Sequence, residues 1–468
     1  MRLRPFARSG VLLLVLRTMT GSIHGMPQQD SAAGAVTFNK QVLPILQKNC
    51  QTCHRPGEIA PMSFLTYRDV RPWAKAIKAA VVKRQMPPWF ADPAYGHFAN
   101  DKRLTGAEIV TLSAWADSGA VEGDANDKPA PIAFHDGWNV EPDMIIEMPK
   151  DFNVPATGTV TYKNILVKVN FPEDVWVLAA EMRPGNPQVL HHGRVLVRPP
   201  ASAFMKDAVP GEAYETTSVG MQEKNAAETL GKFNPGLGPQ GFNQFESAKF
   251  VPKGSDLVFN LHYTSIGKAA TDRSRVGLVF AKKPPALRYV MHNGPTASNL
   301  AIPPHDGNAE IVSEMTTNVD MKLVYVQPHM HLRGKDYELR LVYPTGKTET
   351  VFKARWDFNW QMGYDLEEPK PLPKGTRIIG VAHFDNSANN KFNPDPNTTV
   401  YWGDQNWDEM QNCFVGVLID PAIDAARAEP LTIHLMLGQA YGRYQPLGAV
   451  GHPRLFFSLS CVSCLSGS

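Results

Sequence analysis

Val251-Pro252-Lys253-Gly254-Ser255-Asp256-Leu257-Val258-Phe259-Asn260-Leu261-His262 and Leu372-Pro373-Lys374-Gly375-Thr376-Arg377-Ile378-Ile379-Gly380-Val381-Ala382-His383 are two copies of one pattern, with the same offset from glycine to histidine. Proline and glycine make a turn, and a strand follows. Its alternation puts Leu257, Phe259, Leu261 and Tyr263 on one face and Asn260, His262 and Thr264 on the other. His262 therefore points away from the apolar core. From about residue 132 to 440 the helical period is missing, and short alternating runs are bounded by Gly, Pro, Asn and Asp. That composition belongs to β-sandwiches. The repeat divides the region into two copies of one β domain, 132–285 and 286–440.

A second histidine feature precedes each repeat: His191-His192 in the first copy and His329-Met330-His331 in the second. Residues two apart on a strand share a face, so His329 and His331 are able to hold one metal without distortion. Neighbours point to opposite faces, so His191 and His192 share a metal only at a strand end or a β-bulge. Any single histidine reads as an ordinary imidazole. Five of them in three short polar-faced segments of a duplicated fold point to metal binding.

Upstream, Cys50-Gln51-Thr52-Cys53-His54 has the spacing that lets two thiols form thioethers to one porphyrin while the next imidazole reaches the iron. Half of a zinc site is the rival, and it needs more Cys or His nearby than His97. The flanks predict three helices. Phe38, Val42, Ile45 and Leu46 mark the first, with Pro44 kinking or delaying it. Val70, Ala74, Ile77 and Val81 mark the second. Thr105 and Glu108 form a capping box ahead of Ile109, Leu112 and Trp115, and Gly119 stops the third. Residues 36–122 thus have the pattern of a single-haem cytochrome c domain, all-α, with one covalent haem c. The sixth iron ligand is expected to be Met86, in Gln85-Met86-Pro87-Pro88-Trp89, ahead of Met62. An Asp-, Asn-, Pro- and Ala-rich linker, 123–131, separates this domain from the β region.

The 468 residues are too many for one ordinary core. A net charge of +2 with interspersed signs offers no field for nucleic acid and no polybasic block for a membrane. No stretch past the N-terminus is long and apolar enough to span a bilayer. Arg2, Arg4 and Arg8 ahead of the apolar run Val11–Leu16 have the layout of a secretory signal, with a leader to residue 35. A c-type haem agrees with export, so a periplasmic or extracellular bacterial location is expected. Cys461-Val462-Ser463-Cys464, in the tail 441–468, lacks a following histidine and is not a second haem motif.

The order and spacing of Leu190-His191-His192-Gly193, Leu261-His262-Tyr263-Thr264, Pro328-His329-Met330-His331 with Gly334-Lys335, and Asp408-Glu409-Met410 with Asn412 resemble the copper type II ascorbate-dependent monooxygenases. That family includes the peptidylglycine hydroxylating and dopamine β-monooxygenases, and the resemblance covers roughly His191 to Val417. It implies two jelly-roll sandwiches with two copper ions facing across a solvent-filled cleft. It assigns an electron-transfer copper to His191, His192 and His262, and the catalytic, oxygen-activating copper to His329, His331 and Met410. Imidazole suits copper in either oxidation state, and one thioether favours Cu(I). Peptide-amidating members carry an arginine and a tyrosine where this chain has Gln327 and Phe414, and only Asn412 of that set is kept. A C-terminal glycine peptide is thus not the expected substrate, and a less polar molecule is. His383 fills the position of His262 in the second copy and is held as a substitute ligand for Met410.

The expectation is a monooxygenase that hydroxylates a C–H bond of a small organic substrate with dioxygen, drawing electrons from a periplasmic donor through the fused haem. The rival is a non-catalytic periplasmic electron-transfer or copper-binding protein that keeps the fold.

Overall fold

The computed structural model describes residues 36–58, 60–134, 137–216, 228–234, 237–423 and 431–433. The signal segment and leader (1–35) and the tail with Cys461 and Cys464 lie outside them. The chain is mostly β-sheet with few helices, and its strands build two packed sandwiches. No helix among the described residues is long and apolar enough to cross a membrane.

The two repeats occupy equivalent places. Asp256–Tyr263 is the central strand of one five-stranded sheet, between Tyr162–Val167 and Leu190–Arg198. Arg377–Phe384 is the central strand of another, between Gly334–Val342 and Ala309–Thr316. Their leading turns match bond for bond. Gly254 and Gly375 both sit at positive φ, 76° and 87°, a conformation that only glycine adopts without strain. Ser255 N–H donates to Pro252 O, and Thr376 N–H to Pro373 O. The Lys253 and Lys374 N–H groups each donate to an aspartate, Asp174 and Asp320, at 2.7 Å. Leu257, Phe259, Leu261 and Tyr263 enter the first core; Ile378, Ala382 and Phe384 enter the second.

Each five-stranded sheet packs on part of one nine-stranded sheet that both sandwiches share. Its two halves join where Leu287–Asn293 runs parallel to Ser247–Val251, pairing Leu287 with Ser247 and Arg288 with Ala248. The boundary near 285 is therefore bridged by backbone hydrogen bonds, which ties the two histidine-bearing halves together.

The N-terminal helices surround a small core of Phe38, Leu46, Val70, Ile77, Leu112 and Trp115. Pro44 sits in the first turn of Leu43–Asn49, and a π-helical turn, Phe38–Val42, precedes it. That is the delay its missing N–H dictates. The second helical stretch runs Tyr67–Val70, Arg71–Trp73 and Ala74–Val82. Gly106–Asp117 is capped by Thr105 and Glu108 in a reciprocal box. Replacing the cap, Thr105→Ala, is expected to lower stability by about 1 kcal/mol, read as a shift in the denaturation midpoint of this unit.

This unit leans on both sandwiches. Arg55, 4% exposed, donates to Gly137 O at 2.7 Å and Asn139 Oδ1 at 3.0 Å. Glu58 bridges it to Arg183 of the first sandwich. Trp89, Ala91 and Phe98 belong to the core of the second sandwich, where Asp92 N–H donates to Lys353 O and Ala99 N–H to Asp365 O. Residues 36–122 are therefore not one packing unit. The helical core is too small to bury two more large aromatics, and the edge of the second sandwich takes them.

Candidate metal centre

The condition for His191 and His192 to act together is met in the ladder itself. His192 pairs with His262 and Leu190 with Tyr263, so His191 is the extra residue of a β-bulge. The bulge turns both imidazoles to the face that carries His262. Ring centres lie 5.0 Å apart for His191 and His192, 4.9 Å for His192 and His262, and 5.9 Å for His191 and His262. Two imidazoles on one tetrahedral ion, each nitrogen about 2.0 Å from it, have centres roughly 5 Å apart.

The hydrogen bonds leave specific nitrogens open. His192 Nε2 is bonded to the Tyr162 hydroxyl at 2.7 Å, and the same tyrosine stacks on His262 with ring centres 4.4 Å apart. His191 Nε2, His192 Nδ1 and His262 Nδ1 are buried and have no hydrogen-bond partner among the described residues. Three orphaned ring nitrogens in one place are costly without a ligand. Burial, then the neighbouring histidines, pushes the His262 imidazole down to about 4 and holds His192 well below the usual range. Both stay neutral near pH 7, the form that binds a metal.

The second group lies at the end of Met321–His329. Met330 is fully buried in the core, which sends His329 and His331 to the other side, with ring centres 5.2 Å apart. His329 Nδ1 donates to Gln361 Oε1 at 2.9 Å and His331 Nδ1 faces Asp408 O at 3.3 Å, so Nε2 of each ring is left for a ligand. Burial lowers the His329 imidazole to about 4 and keeps His331 well down. His329 pairs with Asn412, two residues after Met410. Met410 is buried.

Glu409 fixes that alignment, and nothing in the sequence singled it out beyond its place beside Met410. Fully buried, it accepts from the N–H groups of His331 (2.8 Å), Met410 (3.2 Å) and Arg333 (2.6 Å). Burial pushes its carboxyl up to about 8 against the pull of those three donors.

Some expectations change. The two groups adjoin, with the His192 and His329 rings 6.3 Å apart, so the wide cleft that the resemblance implies does not separate them. The polar face of the first five-stranded sheet is laid against the second sandwich, and Phe358 of the latter stacks on His191. His383 does not join either group. Its strand turns it toward carboxylates, with Nδ1 2.7 Å from Asp336 and Nε2 3.5 Å from Glu310. Among the described residues no group of three or more His, Cys, Asp or Glu side chains is placed so that it could hold a metal ion as the side chains stand. What the fold gathers is rings, with their open nitrogens unsatisfied. The donor set, neutral imidazoles and one thioether, fits copper.

Gln327 and Phe414 share a buried lysine. Lys232 Nζ donates to Gln327 Oε1 at 3.0 Å and lies 3.7 Å from the Phe414 ring centre. Burial, with Arg194 nearby, holds this ammonium well below the ordinary lysine range.

At the N-terminal motif, Cys53 N–H and His54 N–H both donate to Cys50 O, so a helical turn puts the two free thiols on one side. His54 stacks flat on Phe64, ring centres 4.1 Å apart, and its Nδ1 is buried without a partner of good geometry. Cys53 lines an open cavity of about 170 Å³ between this turn and the first sandwich, with Met182, Arg183, Phe233 and Asn234 on the far wall. Two unpaired thiols and an unsatisfied imidazole are the donor set a c-type haem takes, although of the three only Cys53 lines the cavity. Met62 packs on the helical core, and Met86 is half-buried in the turn after Ala74–Val82. Cys413 is a core thiol, pushed up to about 12 by burial.

No protein-family profile matches this chain, and no curated protein does. Among solved structures, PNGase F, a glycosylasparaginase from Flavobacterium meningosepticum, aligns at 8% identity and a TM-score of 0.27 over 61% of this chain and 99% of its own. The infectious bursal disease virus Gx strain structure aligns at 7% and 0.18 over 62% and 76%. Broad bean stain virus aligns at 4% and 0.25 over 57% and 92%. Likeness this slight carries nothing about function.

Proposed function

We propose that the chain is a copper-dependent monooxygenase that hydroxylates a C–H bond of a small organic substrate with dioxygen and receives its electrons through a covalent c-type haem. One observation carries the reading: His191 Nε2, His192 Nδ1 and His262 Nδ1 are buried without partners beside a second pair, His329 and His331, whose Nε2 atoms are open. When bound, copper supplies one-electron chemistry toward dioxygen and haem supplies the electrons.

The chain's own groups do the rest. Tyr162, Gln361 and the Asp408 carbonyl fix which nitrogen of His192, His329 and His331 is presented. Glu409 holds the backbones of His331 and Met410 in step. Lys232, Gln327 and Phe414 pack together beside this strand, the lysine bonded to the amide and lying against the ring.

Metal analysis and oxygen uptake test the reading. Two copper ions and one haem iron per chain are expected, with dioxygen consumed in step with hydroxylated product when a reductant is supplied. Zinc in place of copper, or a fully loaded chain that consumes no dioxygen across a panel of small aromatic and aliphatic substrates, overturns it.

A further inference from the structure

Two lysines are buried among the described residues, Lys249 at 1% and Lys232 at 3% exposure. Lys249 is neutralised by Glu228 at 2.6 Å. Lys232, on the edge strand Thr229–Phe233 of the first five-stranded sheet, pairs with no carboxylate among the described residues, and its cross-strand neighbour is a second cation, Arg194. Its Nζ instead reaches the second sandwich, where it meets Gln327 Oε1 at 3.0 Å and the Phe414 ring, 3.7 Å to the centre. An ammonium buried in this way is costly, so burial favours the free amine. A free amine is a nucleophile.

The amide it faces is held at every polar atom. Gln327 is 2% exposed; its Oε1 also accepts from the Tyr325 hydroxyl at 3.1 Å, and its Nε2 donates to Gln361 O at 3.2 Å. Only this orientation of the amide satisfies all three partners. With Oε1 3.0 Å away and a C=O bond of about 1.23 Å, Cδ lies within about 4.2 Å of Nζ, close to the roughly 3–3.5 Å of reacting atoms poised to combine. The Tyr325 hydroxyl stands where negative charge would develop on Oε1. Phe414, the ladder partner of Gln327, covers the pair, and burial keeps competing water out.

We propose that Lys232 and Gln327 join in an intramolecular isopeptide bond that staples the two sandwiches together beside the histidine face. In the step, the Nζ lone pair attacks Cδ, the Tyr325 hydroxyl holds the oxyanion, one proton passes from Nζ to Nε2, and the Cδ–Nε2 bond breaks. An amine and a primary amide become a secondary amide and ammonia. Nothing is oxidised or reduced, and no metal takes part, so the cross-link stands or falls apart from the function proposed above. It ties together two residues 95 apart in the chain that otherwise meet through one hydrogen bond.

The test is tryptic mass mapping of the full chain, denatured and digested after being kept folded at mildly alkaline pH for increasing times. Cleavage after Lys232 is expected to disappear, and peptide 225–249 to be found joined to peptide 323–333 at a mass one ammonia below their sum, with fragmentation placing the bond on Lys232 and Gln327. Lys232→Met and Gln327→Leu are each expected to give linear peptides only. Tyr325→Phe keeps the ring and loses the oxyanion donor, and its half-time of joining is expected to lengthen at least tenfold. The native chain held unfolded in urea is expected to stay linear, because the fold brings the two groups together. Linear peptides alone from the folded native chain at the longest time overturn the proposal, whatever the variants do. A joined peptide that builds up equally in urea, or in Lys232→Met, overturns it as well.

Discussion

Glu409→Ala is expected to cost the protein the copper proposed at His329 and His331 and several kcal/mol of stability. The carboxylate is fully buried and accepts the N–H groups of His331, Met410 and Arg333. Alanine leaves three buried donors unpaired, each worth about 1–3 kcal/mol. It also releases the two chain segments that bring a histidine and a methionine to one place, so the loss falls on that group and not on the bulge at His191. Copper should drop from two ions per chain to one, with the urea midpoint falling by the equivalent of at least about 3 kcal/mol. Glu409→Gln still accepts through one oxygen but presents an NH₂ where a second acceptor is needed, and an intermediate result is expected. Two coppers and an unchanged midpoint in Glu409→Ala would show that the carboxylate is not what holds the segments together.

The strand alternation was legible because it follows from pleat geometry alone. The parity of Leu257, Phe259 and Leu261 against Asn260 and His262 in the sequence is the parity of core against polar face in the fold. The bulge at His191 was legible only as a condition, since two adjacent histidines demand an irregularity without saying that one is present. What sequence could not reach is the set of groups that act by approach from a distance. Gln361 meets His329 from 32 residues away and Asn234 meets Gln361 from 127, and neither stands in a pattern. Tyr162 is a strand tyrosine like any other until it is seen stacked on His262 and bonded to His192. The segment around Trp89 and Phe98 likewise carries no sign that a second sandwich will take them. Local rules report an element and the face it buries; which neighbour covers that face is settled by packing.

Acid should dismantle the metal-free protein well above the pH at which its carboxylates titrate. His262, His292 and His329 are held at about 4 by burial, and His192 and His331 are pushed well below the ordinary value of 6.5. Between those limits the unfolded chain binds protons that the folded chain refuses, so stability present above about pH 6.5 is lost as pH falls toward 4. Two carboxyls act in the opposite sense. Asp365 is raised to about 6 and Glu409 to about 8, both by burial, so over the same interval the folded chain holds protons that the unfolded chain gives up. These five imidazoles against these two carboxyls leave a net of three protons; His54 and His191, lowered by burial, add to the excess and Glu58, raised by it, offsets part, so the slope is on the order of 4 kcal/mol per pH unit at the steepest. A domain with ordinary stability cannot lose that for two units and remain folded. Urea midpoints measured on the metal-free chain at pH 7, 6 and 5 should therefore fall steeply, and the fall should begin at lower pH in the copper-loaded chain, because bound metal competes with protons for the same nitrogens. Equal midpoints at pH 7 and pH 5 would mean that these imidazoles are solvated and not buried as the fold has them. The same lone pairs that we propose to bind metal when neutral make this face the weakest seam of the protein when protonated, since charges added at His192, His262, His329 and His331 would lie among one another with a second sandwich pressed against them.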